Sequence, residues 1–143
     1  MKFLITGVTG LIGQELCLRL LKEGHEVYGI TRQKNFALLP QKNVINLDLE
    51  SEFPSDIVKG YDVIIHLAGY PVADEYWSAS VKEKIKSSRV LATKNLVNAL
   101  NKLEVQDKPK FFVAGSAIGI YGKGYLADVT RDWEEQSLSV KNV

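Results

Sequence analysis

The stretch Thr6-Gly7-Val8-Thr9-Gly10-Leu11-Ile12-Gly13 follows a short apolar run at the N-terminus and opens a region of helical periodicity. Glycines let a backbone approach a phosphate where a Cβ atom would collide, and the free N–H groups at the start of the following helix face the anion. The spacing G-x-x-G-x-x-G differs slightly from the G-x-G-x-x-G of dehydrogenases, so the surrounding sequence must support the interpretation. On this pattern we predict a loop that binds the pyrophosphate of a dinucleotide.

The composition is typical of one globular domain. Of the 143 residues, 45% are hydrophobic and 24% are charged, which is enough apolar material for a single core. The formal net charge is +1 with both signs interspersed, so we expect a small-molecule ligand and no nucleic acid. The lone cysteine, Cys17, cannot form an internal disulfide and suits the core of a cytoplasmic protein. No apolar run is long enough to cross a membrane.

Five segments have the composition of β-strands. One of them contains Val63-Ile64-Ile65, a continuous β-branched run that favours a central parallel strand covered on both faces. A short segment, Asn35–Leu39, lies between the second and third strands and is stopped by Pro40. The predicted strands are Phe3–Thr6, Glu26–Thr31, Val44–Leu47, Asp62–Leu67 and Lys110–Ala114.

Two segments between the strands have helical periodicity. The first, Leu11–Glu23, places Ile12, Leu16 and Leu20 on one face, and Gly24 is suited to end it. The second predicts one long helix that crosses back over the sheet. The residues that recur at helical spacing are Val81, Ile85, Arg89, Ala92, Leu96, Leu100 and Leu103, and all but Arg89 are apolar.

Strands that alternate with helices form a parallel sheet, because each parallel connection needs a crossover that packs right-handed on the sheet. We therefore predict a doubly wound α/β domain of the Rossmann type with strand order 3-2-1-4-5. Ligands bind such sheets at the carboxyl ends of the strands, next to the reversal between the first and fourth strands. The glycine motif lies at that edge.

The second predicted strand ends in Thr31-Arg32, where a dinucleotide fold contacts the adenosine ribose. An acidic residue there would accept hydrogen bonds from the 2′-hydroxyl of NAD, whereas an arginine donates to the 2′-phosphate of NADP. Arg32 therefore favours NADP, with Lys34 as a second cation. The alternative is an arginine that is simply solvated in a polar turn.

Two further strand ends carry residues suited to a dinucleotide. Asp48-Leu49 follows the third strand, where the carboxylate can hydrogen-bond the adenine amino group and the leucine can pack on the ring; a plain loop aspartate is the alternative. Leu67-Ala68-Gly69 closes the fourth strand, and its small residues let a cofactor lie across that end. A tight turn required by Gly69 and Pro71 is compatible with this role.

These motifs resemble those of the extended and atypical short-chain dehydrogenase/reductases, the nucleoside-diphosphate-sugar epimerase family. The resemblance spans nearly the whole chain and implies an NADP-binding Rossmann domain of an epimerase-like oxidoreductase. A narrower likeness, to the atypical epimerase-like subfamily, is carried by Gly69-Tyr70-Pro71-Val72-Ala73-Asp74, Trp77, Ser88-Arg89 and Arg131-Asp132-Trp133-Glu134. The wider family motifs are the glycine stretch from Thr6 to Gly13, Asp48-Leu49, His66-Leu67-Ala68-Gly69 and Ser116-Ala117-Ile118-Gly119-Ile120-Tyr121-Gly122.

The catalytic part of the resemblance is incomplete. Extended members use a serine or threonine after the fifth strand and a Tyr-x-x-x-Lys motif that exchanges a proton with a substrate hydroxyl, and this sequence contains no Tyr-x-x-x-Lys. The family's hydroxyl position falls on Ala117, one residue after Ser116, and the family's helix asparagine corresponds to Arg89. Ser116 and Tyr121 are the catalytic candidates, each with a purely structural alternative. Arg89 is interpreted either as a ligand for a phosphate or acidic substrate or as a partner of glutamates on its helix.

We assign no ligand-binding role to His66 and predict no metal site. His66 lies inside an apolar strand and is interpreted as a packed histidine, and no cluster of side chains has metal-ligand spacing. We expect the cofactor, NADP, to contact Gly7, Thr9, Gly10, Leu11, Ile12, Gly13, Thr31, Arg32, Asp48, Leu49, Leu67, Ala68, Gly69 and Arg89.

The resemblance also implies parts that residues 1–143 do not supply. Relatives carry a smaller carboxyl-terminal substrate domain and a longer acidic, proline-containing loop where only Lys123-Gly124 stands here. We therefore expect a truncated cofactor domain, with a loop near 122–125 that is deleted or missing from the sequence. The substrate would be a small molecule such as a nucleotide sugar, and the long helix would pair in a homodimer unless its stripe covers the sheet. A non-catalytic dinucleotide sensor is the alternative function.

Overall fold

Five parallel strands form one sheet in a computed structural model that describes residues 1–34 and 36–143. The spatial order is β3-β2-β1-β4-β5, which confirms the predicted order and the doubly wound Rossmann topology. In the sheet centre, Ile5 of β1 pairs with Gly29 of β2 on one side and Ile65 of β4 on the other. The strands are β1 Lys2–Thr6, β2 Glu26–Thr31, β3 Val44–Asn46, β4 Val63–His66 and β5 Phe111–Ala114.

Helices cover both faces of this sheet, so the central strands are buried on both sides, as their continuous apolar sequence predicts. Leu4 and Ile64 point into a core beneath the long helix α2, whereas Ile5 and Ile65 point into a second core beneath α1. The helices are α1 Leu11–Lys22, α2 Ala79–Asn101 and α3 Tyr125–Leu138, and short 3₁₀ turns span Gln41–Asn43, Ser55–Val58, Val105–Asp107 and Ile118–Tyr121.

Helix α1 begins at the predicted residue, Leu11, and ends at Lys22, one residue before the predicted end, but one residue of its predicted inner face is exposed. Gly24 follows it with a φ of +80° and donates its N–H to Leu21, which is the usual geometry of a glycine helix stop. Cys17 and Leu20 are buried, but Ile12 is 70% exposed, so its assignment to the inner face was wrong. Gly13, the next residue of the same turn, faces the glycine motif instead, where a Cβ would lie 2.3 Å from the Gly7 oxygen.

Helix α2 buries its predicted stripe against the sheet. Ser78 caps its start by accepting a hydrogen bond from the Val81 N–H, and Ile85, Leu96 and Leu100 are fully buried. The stripe therefore covers the sheet of its own chain. Helix α3 packs on α2 and follows the turn after β5 directly.

The chain between β2 and β4 differs from the prediction at the end of one strand. The third strand was predicted to reach Leu47, but β3 stops at Asn46, and Leu47 enters the loop that carries Asp48. The segment Asn35–Leu39 is only partly covered, because Asn35 lies outside the described residues. Within the described part of the chain, no helix is long and apolar enough to span a bilayer.

Candidate functional site

The carboxyl ends of β1, β2, β3 and β4 open onto one cavity of about 310 Å³, called here the glycine-loop cavity. Most of the residues predicted from sequence to contact a cofactor line it. These are Gly7, Thr9, Gly10, Thr31, Arg32, Asp48, Leu49, Leu67, Ala68 and Gly69. Segments that are far apart in sequence thus meet at the predicted edge of the sheet.

The cavity also has walls that the sequence analysis did not assign. Several are chain neighbours of assigned residues, and two come from α2: Ala92, which belongs to the predicted helical stripe, and Ser88, which precedes Arg89 in the motif of the epimerase-like subfamily. The additional lining residues are Ile30, Gln33, Leu47, Glu50, Tyr70, Pro71, Ser88 and Ala92.

The glycine loop, Gly7–Gly13, is built by backbone packing on backbone. Gly7 has a φ of +70°, and a Cβ added there would lie 2.7 Å from the Leu67 carbonyl carbon. A Cβ added at Gly13 would lie 2.3 Å from the Gly7 oxygen. Glycine is therefore required at both positions, because any side chain would push the loop away from β4 or from α1.

The start of α1 presents unsatisfied donors to this loop. Gly10 is the N-cap, and no side chain caps the described helix or places an acidic group in its first turn. The first N–H groups of a helix have no intrahelical partner and lie at its positive dipole end. Leu11, Ile12 and Gly13 were also predicted to contact the cofactor but are not among the residues that line the cavity, and the side chains of Leu11 and Ile12 are exposed.

The end of β2 places a cation on the cavity wall. Thr31 is buried, and its Oγ1 accepts the Gln33 N–H at 3.1 Å, which shapes the bend that carries the exposed Arg32. The positive charge of Arg32 acts on the phenol of Tyr70, opposing the rise in its pKa that its hydrogen bond to Glu75 causes. Arg32 and Tyr70 both line the cavity, and Lys34 lies outside its lining.

The two predicted cofactor contacts after β3, Asp48 and Leu49, lie in different environments: one is exposed and the other is buried. Leu49 is 7% exposed and belongs to the core beneath α2, where its carbonyl accepts from Asn95 Nδ2 at 3.0 Å. Asp48 is exposed, and one carboxylate oxygen accepts the Glu50 N–H at 3.1 Å. This turn leaves the other oxygen of Asp48 available at the cavity wall.

Arg89 of α2 stabilises the segment after β4 through hydrogen bonds to main-chain carbonyls. Its Nη1 donates to the Tyr70 carbonyl at 2.9 Å and to the Ile85 carbonyl at 3.2 Å, and its guanidinium lies over the Trp133 ring. A Cβ at Gly69 would approach the guanidinium carbon to 3.1 Å. Arg89 is thus held by main-chain carbonyls rather than by glutamates of its helix, and it lies behind the cavity lining. Burial lowers its pKa.

The catalytic candidates lie elsewhere. Ser116 is exposed beside the β5 groove, a second cavity of about 380 Å³ between β5 and α3, and its Oγ donates to the Glu134 carboxylate. Tyr121 ends the turn Ile118–Tyr121 and is 90% exposed. Neither side chain lines the glycine-loop cavity. Among residues 1–34 and 36–143, no group of His, Cys, Asp or Glu is arranged to hold a metal ion.

His66 is fully buried between two hydroxyls, which confirms that it is a packed histidine. Its Nδ1 lies 2.6 Å from Thr6 Oγ1 and its Nε2 lies 2.8 Å from Thr93 Oγ1. Burial disfavours the charged ring and lowers the pKa of His66 from 6.5 to about 4. The ring is therefore neutral at pH 7.

This burial predicts an acid-sensitive stability. Because the folded state binds the His66 proton less tightly than the unfolded state, the stabilisation is complete above pH 6.5 and is lost as pH falls through 4. We expect the free energy of unfolding to drop by about 3 kcal/mol over that window. Urea unfolding of the wild type and of His66→Gln at a series of pH values measures it. A variant curve as steep as the wild-type curve would assign the loss to other groups.

A family model for the NAD dependent epimerase/dehydratase family matches residues 3–138. The chain belongs to this family. An epimerase family protein of Arabidopsis thaliana, the chloroplastic SDR39U1 homolog, is 33% identical over 152 residues, which covers 94% of this chain and 43% of the relative. The described residues are thus the Rossmann domain of an epimerase family protein.

Solved structures agree with the fold. A nucleoside-diphosphate sugar epimerase from Corynebacterium glutamicum is 31% identical with a TM-score of 0.76, over 96% of this chain and 30% of that one. Human epimerase family protein SDR39U1, solved with NADPH, has a TM-score of 0.76 at 22% identity, over 96% and 48%. MoeE5, solved with UDP-glucose and NAD, has a TM-score of 0.76 at 24% identity, over 98% and 49%. The chain spans less than half the length of each of these proteins.

Proposed function

We propose that the chain binds NADP(H) in the glycine-loop cavity and is the cofactor domain of an epimerase-like oxidoreductase. The observation that carries the proposal is the contact between Gly7, Gly13 and the uncapped start of α1. There the glycines allow a close backbone approach that a Cβ would block, and the first N–H groups of α1 have no side-chain cap and no intrahelical partner. A pyrophosphate is the group of a dinucleotide that this arrangement fits.

The rest of the cavity fits the remaining parts of the cofactor. The backbone of Leu11 and Ile12 would hold the pyrophosphate, Thr31 and Arg32 the adenosine ribose and its phosphate, and Asp48 the adenine. Leu67, Ala68 and Gly69 would contact the cofactor at the end of β4, with Arg89 behind them. When bound, the cofactor supplies or accepts a hydride.

The preference for NADP rests on Arg32. Its guanidinium offers a fork of donors suited to a phosphate, and human SDR39U1, which shares the fold, was solved with NADPH. Other structures with this fold, including UDP-glucuronic acid 4-epimerase from Bacillus cereus, hold NAD. The side chain at the end of β2 is therefore the position to test.

We expect Arg32→Ala to weaken NADPH binding by about ten- to a hundredfold, which is the loss of a charge-assisted phosphate contact. NADH has no 2′-phosphate, so its dissociation constant should change less than about twofold. Isothermal titration of both cofactors measures the difference, and Arg19→Ala, an exposed arginine paired with Glu23 on α1, is the control. Equal affinities for NADPH and NADH in both proteins would contradict the NADP assignment.

The proposed reaction is hydride transfer at a carbonyl or alcohol carbon of a nucleotide-linked substrate, with Ser116 and Tyr121 as candidate proton donors. The substrate class is supported by the fold that the chain shares with MoeE5, which was solved with UDP-glucose. The chain covers 43% of its Arabidopsis thaliana relative, so these roles are proposed for a protein of the relatives' length.

A dinucleotide sensor without catalysis is the second candidate function. It is favoured because the Ser116 hydroxyl donates to the Glu134 carboxylate, and because neither Ser116 nor Tyr121 lines the glycine-loop cavity. NADPH oxidation by the full-length protein with aldehydes, ketones and nucleotide sugars distinguishes the two. Turnover of any of these would exclude the sensor.

A further inference from the structure

Three buried polar side chains form a continuous row across the sheet and into α2. Thr6 ends β1, His66 ends β4 and Thr93 lies in the middle of α2, and all three are fully buried. Thr6 Oγ1 lies 2.6 Å from His66 Nδ1, and His66 Nε2 lies 2.8 Å from Thr93 Oγ1. Each member of the row is next in sequence to a residue that lines the glycine-loop cavity, namely Gly7, Leu67 and Ala92, and the epimerase-like reaction does not account for the row.

The direction of every hydrogen bond in the row follows from counting protons. Thr93 Oγ1 donates its single proton to the Arg89 carbonyl, so it can only accept from His66 Nε2–H. The neutral ring carries one N–H, which leaves Nδ1 as an acceptor. Thr6 Oγ1 must therefore donate to Nδ1. One tautomer satisfies the whole row.

Thr6 consequently has its lone pairs free for the segment after β4. Its Oγ1 accepts the Leu67 N–H at 3.2 Å and the Ala68 N–H at 3.3 Å. These are the residues whose peptide packs against Gly7, where a Cβ would lie 2.7 Å from the Leu67 carbonyl carbon. The orientation of this peptide thus sets the distance between the glycine loop and the opposite cavity wall.

The other end of the row holds the same segment from α2. Thr93 bonds the carbonyl of Arg89, whose Nη1 donates to the Tyr70 carbonyl at 2.9 Å. The neighbouring Ser88 Oγ accepts the Tyr70 N–H at 2.8 Å. The wall formed by residues 67–70 is therefore fastened at its start through Thr6 and at its end through α2, and His66 connects the two attachments.

We propose that Thr6, His66 and Thr93 are positioning residues that hold the cavity wall 67–70 in its cofactor-binding orientation, with His66 as the Nε2–H tautomer. The proposal rests on the proposed dinucleotide function. None of the three side chains lines the cavity, so their effect on a cofactor passes through the backbone of Leu67, Ala68 and Tyr70.

Thr93→Val tests the row with a matched control. Thr130 makes the same hydrogen bond to the carbonyl four residues earlier, at 2.7 Å, in a buried position of α3. We expect Thr93→Val to weaken NADPH binding about tenfold and to speed hydrogen exchange of the Leu67 and Ala68 amides, because it leaves a buried His66 N–H without an acceptor. Thr130→Val should leave both within about twofold. Thr93→Ser keeps the hydroxyl and should restore both values.

The tautomer provides a test without any cofactor. We expect long-range ¹H–¹⁵N NMR spectra of the wild-type chain at pH 7 to show a protonated Nε2 and an unprotonated Nδ1 at His66. The opposite tautomer, or equal losses in Thr93→Val and Thr130→Val, would overturn the positioning role even if NADPH binds. Failure of the wild type to bind NADPH, with the expected tautomer and amide protection intact, would reject the proposed function and leave only a structural row.

Discussion

Replacing Gly13 with alanine is expected to lower the free energy of unfolding by about 4 kcal/mol or more, although alanine is the better helix former. Helix propensity alone predicts a gain of about 1 kcal/mol. The added Cβ would lie 2.3 Å from the Gly7 oxygen and 2.8 Å from the Val8 Cα, and both are backbone atoms that cannot rotate away. The clash decides the sign, because α1 can relieve it only by moving off the glycine loop.

That movement should also disrupt the proposed cofactor site. We expect NADPH affinity to fall by about a hundredfold, equivalent to about 2.7 kcal/mol, since the first N–H groups of α1 would no longer face the loop. Urea unfolding and NADPH titration measure the two effects. Glu15→Ala, an exposed change in the same helix, should shift stability by less than about 0.5 kcal/mol. A more stable Gly13→Ala protein would show that the close approach is not needed.

The second large effect is expected for Gly7→Ala, at about 4 kcal/mol. Two costs add at this position. Its φ of +70° is unfavourable for alanine, and the new Cβ would lie 2.7 Å from the Leu67 carbonyl carbon and 2.8 Å from the Ala68 nitrogen. The substitution should therefore separate β1 from the end of β4 and open the wall that the Thr6–His66–Thr93 row supports.

Gly60→Ala separates the two costs. Gly60 has a φ of +79°, but a Cβ there would meet nothing within 4 Å, so only the backbone strain remains, at about 1 kcal/mol. The difference between the two variants, about 3 kcal/mol, measures the close approach alone. NADPH binding should be unchanged in Gly60→Ala and strongly weakened in Gly7→Ala. Equal destabilisation by both substitutions would remove the packing argument.

The strands and the end of α1 could be predicted because each is marked by residues within a few positions of one another in the sequence. The run Val63-Ile64-Ile65 has no polar alternation, and β4 is the strand buried on both faces. Gly24 ends α1 where the periodicity stops. Strand order followed from the rule that parallel crossovers are right-handed. These inferences need only neighbouring residues and general rules of topology. The predicted bounds of strands and helices therefore differ from the observed bounds by only one or two residues.

The exposure of Ile12 and the hydrogen-bond partner of Ser116 could not be predicted from the local sequence. Ile12 has the spacing of a buried residue, but it is 70% exposed, and the neighbouring Gly13 of the same turn packs on Gly7 and Val8. Ser116 follows β5 one residue before the position expected for a catalytic hydroxyl, and its Oγ donates to Glu134, which lies 18 residues later on α3. Periodicity reports a helix face and cannot report which element packs against it.

The sequence by itself determined the Rossmann topology and the position of the glycine loop and Arg32 at one edge of the sheet. The topology follows from the alternation of strands and helices along the chain, and the positions follow from which strand each segment ends. Only the tertiary structure decided that Thr6, His66 and Thr93 form one row, and that Gly7 contacts the peptide after β4. Those contacts join residues that lie tens of positions apart, and their partners are selected by how strands and helices pack rather than by any local pattern.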